Sequence, residues 1–412
     1  MHRLFFVKII AKYQQKWFIR GILVIFAQRI HKCAIMTKHN TLKVLFLSVL
    51  VLLTSCIGEE APNAECDIIA VNETWLQENS AILSGKPIVK NNNVWFYVKE
   101  GTSIEQLKKL EPVFELTHGA HITKNRVEEN GGKGVNIYYT TTSEDGAWSK
   151  EYKVAFTIQS VIEVGKPFSF EHHTAQKYYD WHEVDASGTA LNWWASGNAG
   201  FAFTGKGTTP DNFPTIVDQD GYSGNGIVLT TRDTGTFGKM AGMPIAAGNI
   251  FIGEFQSANA MKKPLEATRF GLPILPTRPV SLKGYYKYTP GEVFTDKQKN
   301  TVEGRRDTCA IYSVVYEIDP DNFVTLDGSN VLSSDRIVLA AELENPGEPS
   351  EWTEFNIPFN SREGNVFDMD KLMRGEYAIT VVASSSKDGA FFEGAVGSTL
   401  HVDELEIIWD NK

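Results

Sequence analysis

Residues 280–290 read VSLKGYYKYTP, and their parity decides how the chain folds. Alternate side chains of an extended strand face opposite ways, so Val280, Leu282, Gly284, Tyr286 and Tyr288 share one face. Ser281, Lys283, Tyr285 and Lys287 share the other. One face suits a core, and the other sets an aromatic between two ammoniums. Runs of the same kind recur as GIVLTTR (226–232), GNIFIGEFQ (248–256), CAIYSVVYEI (309–318), RIVLAAEL (336–343), WTEFNIPF (352–359), EYAITVVAS (376–384) and STLHVDELEIIW (398–409). Helical periodicity is scarce. Eight such runs within about 240 residues make a two-sheet jelly-roll β-sandwich the economical architecture for 168–412.

The last run contains a change of parity. Leu400 and Val402 fall on one face, while Leu405, Ile407 and Trp409 fall on the other, so a bulge near Asp403 and Glu404 is expected.

Upstream, residues 66–160 carry shorter β-runs, CDIIAV (66–71), NVWFYVK (93–99), VNIYYTTT (135–142) and EYKVAFTI (151–158). That spacing suits a small Ig-like β-sandwich. The phrases EGTSIEQLKKLEPVFELTHGAHIT (100–123) and SEDGAWSKEYKVAFTI (143–158) resemble the Ig-like or cadherin-like repeats of surface lipoproteins, which implies a spacer. Residues 161–167 read as a linker. The fold class is therefore all-β, an Ig-like sandwich followed by a jelly roll.

Charge is distributed unevenly. Residues 1–55 hold nine Lys or Arg and no acid, which leaves 31 basic residues against 50 acids, a formal −19, for the rest. A surface of that sign repels phosphate backbones and excludes nucleic-acid binding. The basic segment ends in MTKHNTLKVLFLSVLVLLTSC (36–56), whose apolar run is too short to span a bilayer. Its tail resembles a bacterial lipobox, implying cleavage before Cys56 and diacylation of that residue, with 56–65 as tether. Residues 1–35 read as an extension before a signal peptide starting at Met36. Glu59 and Glu60 behind the cysteine resemble the surface-export signal of lipoproteins in saccharolytic Gram-negative bacteria. The expected address is the outer membrane, lipid-anchored and facing outward. Cys66 and Cys309 are the remaining thiols, and no zinc spacing exists.

The stretches GNIFIGEF (248–255), FGLPILPTRPVSLKGYYKYTPGE (270–292), DTCAIYSVVYEI (307–318) and VVASSSKDGAFFEGAVGSTLHVDELEII (381–408) resemble, in order, the blocks of the putative carbohydrate metabolism domain (PCMD) family. The resemblance implies a jelly roll similar to carbohydrate-binding modules, on lipoproteins linked to glycan use. One block departs from the pattern, reading Gly253, Glu254, Phe255 with an acid where the family has a basic residue. In such jelly rolls a structural calcium ties the first strand to the last. The resemblance points to Glu171 and Asp403 as its carboxylates, because hard oxygens suit that ion.

Glycan recognition needs flat apolar faces and a few fixed polar groups. The segment 178–201 supplies Trp181, Trp193 and Trp194, and adjacent residues of an extended segment point to opposite sides, which puts one tryptophan at a groove or both in packed layers. Lys283, Tyr285 and Lys287 form the polar face of 280–290, with Arg278 just before it. The expected partner is a polysaccharide or oligosaccharide, alongside other surface proteins of glycan utilisation. Hydrolysis is the second reading. It needs two carboxylates across a cleft, and Glu254 is the best single candidate among Glu254, Glu292, Glu317 and Asp307. A structural or adhesion role without glycan binding is the third. The serines at 384–386 lack a nucleophile elbow.

Overall fold

The computed structural model of the chain describes residues 62–410, apart from 100, 131–132, 159–160, 163–164, 185–187, 189, 275 and 321. The expected signal segment and Cys56 lie outside the described residues. Strand dominates throughout, so the all-β expectation holds.

The N-terminal part contains β1 (Ile68–Val71), β2 (Leu83–Lys90), β3 (Asn93–Val98), β4 (Phe114–Leu116), β5 (His121–Glu129), β6 (Gly134–Thr142) and β7 (Ser149–Ile158). Five of them form one sheet in the order β2-β3-β7-β6-β5, in which β3 and β7 run parallel. Period-2 alternation sends Val94, Phe96, Val98, Val135, Ile137, Val154 and Phe156 into one core. The β1–β4 ladder and two helical turns supply Ile68, Val71, Trp75 and Leu107 to the same core. Asn72 starts the first turn by accepting the Trp75 N–H at 3.1 Å.

The segment expected as a linker is built into the fold. Val161 and Ile162 are buried, and the Ile162 N–H donates to the Pro273 carbonyl at 3.1 Å. Nearby, Lys90 pairs with Glu376 at 3.1 Å, and Glu376 also accepts from Arg374 at 2.7 Å.

The larger part is a sandwich of two sheets. One contains β8 (Thr215–Asp218), β9 (Gly226–Thr230), β12 (Pro279–Thr289), β16 (Thr353–Pro358) and β19 (Thr399–Trp409). The other contains β10 (Asn249–Phe255), β11 (Thr268–Phe270), β13 (Ala310–Glu317), β14 (Leu326–Asp327), β15 (Ile337–Glu342), β17 (Asn360–Ser361) and β18 (Tyr377–Ser384). The first sheet has the order β8-β9-β19-β12-β16 and the second β14-β11-β10-β18-β13-β15-β17. Two short strands, Trp194–Ala195 and Leu272–Pro273, add to the second sheet beside β10 and β18.

The main core lies between the two sheets. Leu229, Leu282, Tyr286, Leu400, Val402 and Leu405 face Ile252, Ile311, Val315, Ile379 and Val381. The larger sheet is apolar on its other side as well, where Phe251, Phe270, Tyr312, Val314, Tyr316 and Val382 form a separate cluster. Strands buried on both faces read as continuous apolar runs, which is why CAIYSVVYEI and EYAITVVAS show no alternation.

Trp181, Trp193 and Trp194 all belong to the main core, so the adjacent pair takes the packed alternative and the assignment of the three tryptophans to glycan binding is corrected. The Trp194–Ala195 strand is only two residues long, so strand alternation does not separate the neighbouring rings. Phe168 packs edge-on to both, at 5.9 and 5.1 Å between centroids. The Trp194 indole N–H donates to Glu183 at 3.0 Å.

The serines of the closing stretch form a buried polar knot. Asp307 Oδ2 accepts from the Ser386 hydroxyl at 2.6 Å, the Ser398 hydroxyl at 2.6 Å and the Ala395 N–H at 2.7 Å. Asp307 Oδ1 accepts the Thr308 N–H at 2.9 Å. Thr231 Oγ1 lies 2.8 Å from Ser385 Oγ and 2.6 Å from Ser386 Oγ. Each of these groups has a partner, so Asp307 and the serines act as structural fasteners of this loop. Cys66 and Cys309 are both buried and free.

Candidate functional site

The site begins at the bulge. Along β12 and β19, Lys283 pairs with Glu406 but Tyr285 pairs with Asp403, so Glu404 and Leu405 together oppose Gly284. Glu404 takes a φ of 48°, and the bulge returns Leu405 and Ile407 to the core as the parity change requires. Gly284 makes room for it, since a Cβ there would stand 2.6 Å from Leu405 and 2.9 Å from Phe355.

The bulge leaves Asp403 fully buried. Asp403 Oδ2 accepts the Ser223 N–H at 2.9 Å, and Oδ1 accepts the Glu404 N–H at 2.7 Å. The carboxylate thus pins the β8–β9 loop down over the sheet. Glu171 holds the same loop from its far end, accepting the Asn225 backbone N–H and side-chain amide, each at 3.0 Å.

Tyr222 sits at the tip of that pinned loop, half exposed, and stacks on Tyr285 with ring centroids 3.6 Å apart and planes 7° apart. Trp352, just before β16, stands edge-on to Tyr222 at 6.3 Å and to His401 at 6.2 Å. The Lys287 ammonium lies 4.4 Å from the Trp352 ring centroid. Lys283 pairs with Glu354 at 3.5 Å, and His401 Nδ1 lies 2.6 Å from Asp218 Oδ2. The outer face of the smaller sheet therefore carries three aromatic rings ringed by two ammoniums, an imidazole and two carboxylates.

Electrostatics fix the protonation of this face. The neighbouring Tyr222 hydroxyl, partial desolvation and Glu354 push the Tyr285 phenol up to about 12, so it is a neutral donor at neutral pH. Burial pushes the Asp218 carboxyl up, but His401 and the Asp220 N–H outweigh it and hold it below the usual range. Burial lifts the Asp403 carboxyl to about 6 against the pull of the Ser223 and Glu404 N–H groups. A carboxyl raised from 3.8 to about 6 on folding favours the folded state fully below pH 3.8, and that contribution is lost as pH rises through 6. The loss is on the order of 3 kcal/mol. Urea unfolding of the wild type and Asp403→Asn between pH 4 and 7.5 is expected to show that slope only in the wild type.

Calcium does not fit the pair expected to hold it. Glu171 and Asp403 do reach the same loop, but the groups turned toward them are amide N–H donors, which cannot ligate a cation. Among the described residues no group of three or more His, Cys, Asp or Glu is placed to hold a metal ion. The loop also depends on Gly224, whose φ is 67° and whose Cβ would fall 2.0 Å from Glu171 Oε1. Gly224→Ala is expected to cost about 2 kcal/mol in a thermal melt and to loosen the Tyr222 stack.

Of the residues singled out in the sequence, the structure brings Lys283, Tyr285 and Lys287 together on this face. Arg278 is elsewhere, with its guanidinium 5.3 Å from the Phe367 ring centroid. Glu254 is exposed at the end of β10, where its carboxylate takes a 3.5 Å contact from the Gln256 amide and does not reach the aromatic face. Tyr222, Trp352, His401, Glu354 and Asp218 were not anticipated. Parity could have placed His401, opposite Leu400 and Val402, whereas Tyr222 sits in a turn that has no periodicity.

Comparison with known proteins agrees with a carbohydrate context. Residues 169–408 match the family described as "Putative carbohydrate metabolism domain". A crystal structure of a "putative glycoside hydrolase" from Bacteroides thetaiotaomicron VPI-5482 is 40% identical, with a TM-score of 0.60, over 86% of this chain and 100% of that one. A second "putative glycoside hydrolase", from Bacteroides vulgatus ATCC 8482, is also 40% identical, with a TM-score of 0.55, over 61% of this chain and 100% of that one. No curated protein matches. With more than half its length matched by that description and a relative of this identity covered end to end, the chain belongs to the putative carbohydrate metabolism domain family.

Proposed function

We propose that the protein captures glycan chains on the outer face of the smaller sheet, as a lipid-anchored outer-membrane protein of polysaccharide utilisation. The Tyr222–Tyr285 stack beside Trp352 carries this reading. Pyranose C–H faces pack on such rings, and Lys283, Lys287, Glu354, His401 and Asp218 offer donors and acceptors to the hydroxyls around them. The larger part acts as a jelly-roll binding module, and the N-terminal sheet acts as an Ig-like spacer between it and the tether. Hydrolysis is the second reading, supported by the names of the two Bacteroides relatives.

The deciding experiment screens residues 57–412 against a glycan array and follows each hit by affinity electrophoresis and a reducing-end assay. Binding without release of reducing ends is expected. Release of reducing ends that Glu254→Gln abolishes would establish hydrolysis instead.

A further inference from the structure

The larger sheet has a second site on the side away from the main core. Loops and short helices cover this side incompletely, leaving a cavity of about 370 Å³ whose floor includes Phe251, Tyr312 and Val382. That volume lies within the range of small-molecule sites. Phe203, Phe237, Met261 and Phe391 line it and remain 40–51% exposed, an unusual grouping of large apolar side chains at one opening.

Two polar side chains of the lining are turned to the backbone around them. Asn249 accepts the Gly197 N–H at 2.8 Å and donates to the Ala247 carbonyl at 3.2 Å, while Thr234 donates to the Met243 carbonyl at 2.6 Å. The phenylalanines and aliphatic side chains dominate the walls, so the chamber suits an apolar body.

The charged side chains of the lining, Glu342 and Lys387, pair with each other at 3.3 Å, and a cluster of further lysines adjoins the lining residues. Lys206, Lys239 and Lys299 converge on Asp233, at 3.7 Å and 3.4 Å for the first two. Asp233 precedes the lining residue Thr234, and Lys239 follows the lining residues Phe237 and Gly238. Lys297 adds a fourth ammonium, 5.8 Å from the ring centroid of lining residue Phe392. Three ammoniums around one carboxylate leave positive charge uncompensated, on a chain that is strongly acidic beyond residue 55.

We propose that this cavity binds a small amphipathic anion, an aryl or alkyl body carrying one carboxylate, with the body among the phenylalanines and the carboxylate at the lysine cluster. The site is separate from the aromatic face of the smaller sheet and does not depend on glycan binding.

Titration of the intact protein with anilinonaphthalene sulfonate tests this. Saturable one-site fluorescence is expected, displaced about tenfold better by decanoate or phenylpropanoate than by decanol or phenylpropanol. The stronger of the two acids identifies the body as alkyl or aryl. The double variant Lys206→Met/Lys239→Met is expected to erase the preference for acids over alcohols while leaving alcohol displacement intact. Phe237→Ala should weaken every ligand about tenfold, and Tyr285→Ala should change none of them. Thermal midpoints matching the wild type establish that the variants are folded. Absence of saturable binding to the folded wild type, equal displacement by acids and alcohols, or no response to the lysine and Phe237 variants would overturn the proposal.

Discussion

Asp307→Ala is expected to lower the unfolding free energy by about 4 kcal/mol and the thermal midpoint by roughly 10 °C. The substitution removes the Oδ2 acceptor from three buried donors and the Oδ1 acceptor from a fourth, half-buried one. The hydroxyls of Ser386 and Ser398 can rotate toward other acceptors, but the Ala395 N–H is fixed by the backbone and stays unsatisfied. Asp307→Asn retains one acceptor at the same size, so it should cost about half as much. Calorimetry of both variants checks the ranking. A loss below about 1 kcal/mol for the alanine variant would mean that the loop 385–398 is held by other contacts.

The second large effect concerns the aromatic face. Tyr285→Ala combined with Trp352→Ala is expected to reduce glycan affinity a hundredfold or more, about 3 kcal/mol, without release of the core. Tyr285 carries the greater part, because its removal also strips Tyr222 of its stacking partner. Glu354→Gln should matter far less, since its contact with Lys283 lies at the solvent-exposed rim. Isothermal titration with the strongest glycan from the array measures these changes. An unchanged affinity in the double variant, with a wild-type melt, would remove this face from consideration.

Much of the fold could be read because each main strand carries its own signal. The eight β-runs of residues 226–409 all became strands, and the parity change in STLHVDELEIIW became the bulge at Asp403 and Glu404. Strands β2 and β5 escaped notice for local reasons. The first contains Gly85 and Pro87, and the second is an edge strand whose residues are mostly exposed.

The site was only half legible. Lys283, Tyr285 and Lys287 lie on one strand and obey its alternation. Tyr222 reaches them only through a loop pinned by Asp403 and Glu171, which are 180 and 54 residues from their loop partners Ser223 and Asn225, and Trp352 comes from the separate segment before β16. The tryptophans at 181, 193 and 194 misled for the opposite reason. Their density in sequence reflects the size of the interior they fill, and a strand of two residues imposes no alternation on them.

The position of β19 has a kinetic consequence. It is the last strand among the described residues and the middle strand of the smaller sheet, hydrogen-bonded to β9 on one side and β12 on the other. The β8–β9 and β12–β16 pairs join into one sheet only through it, so the sandwich closes only when this distant strand inserts between them. Pairings of such long range also slow the closure itself. Until that insertion the apolar faces of β9 and β12 stay without the strand that joins them.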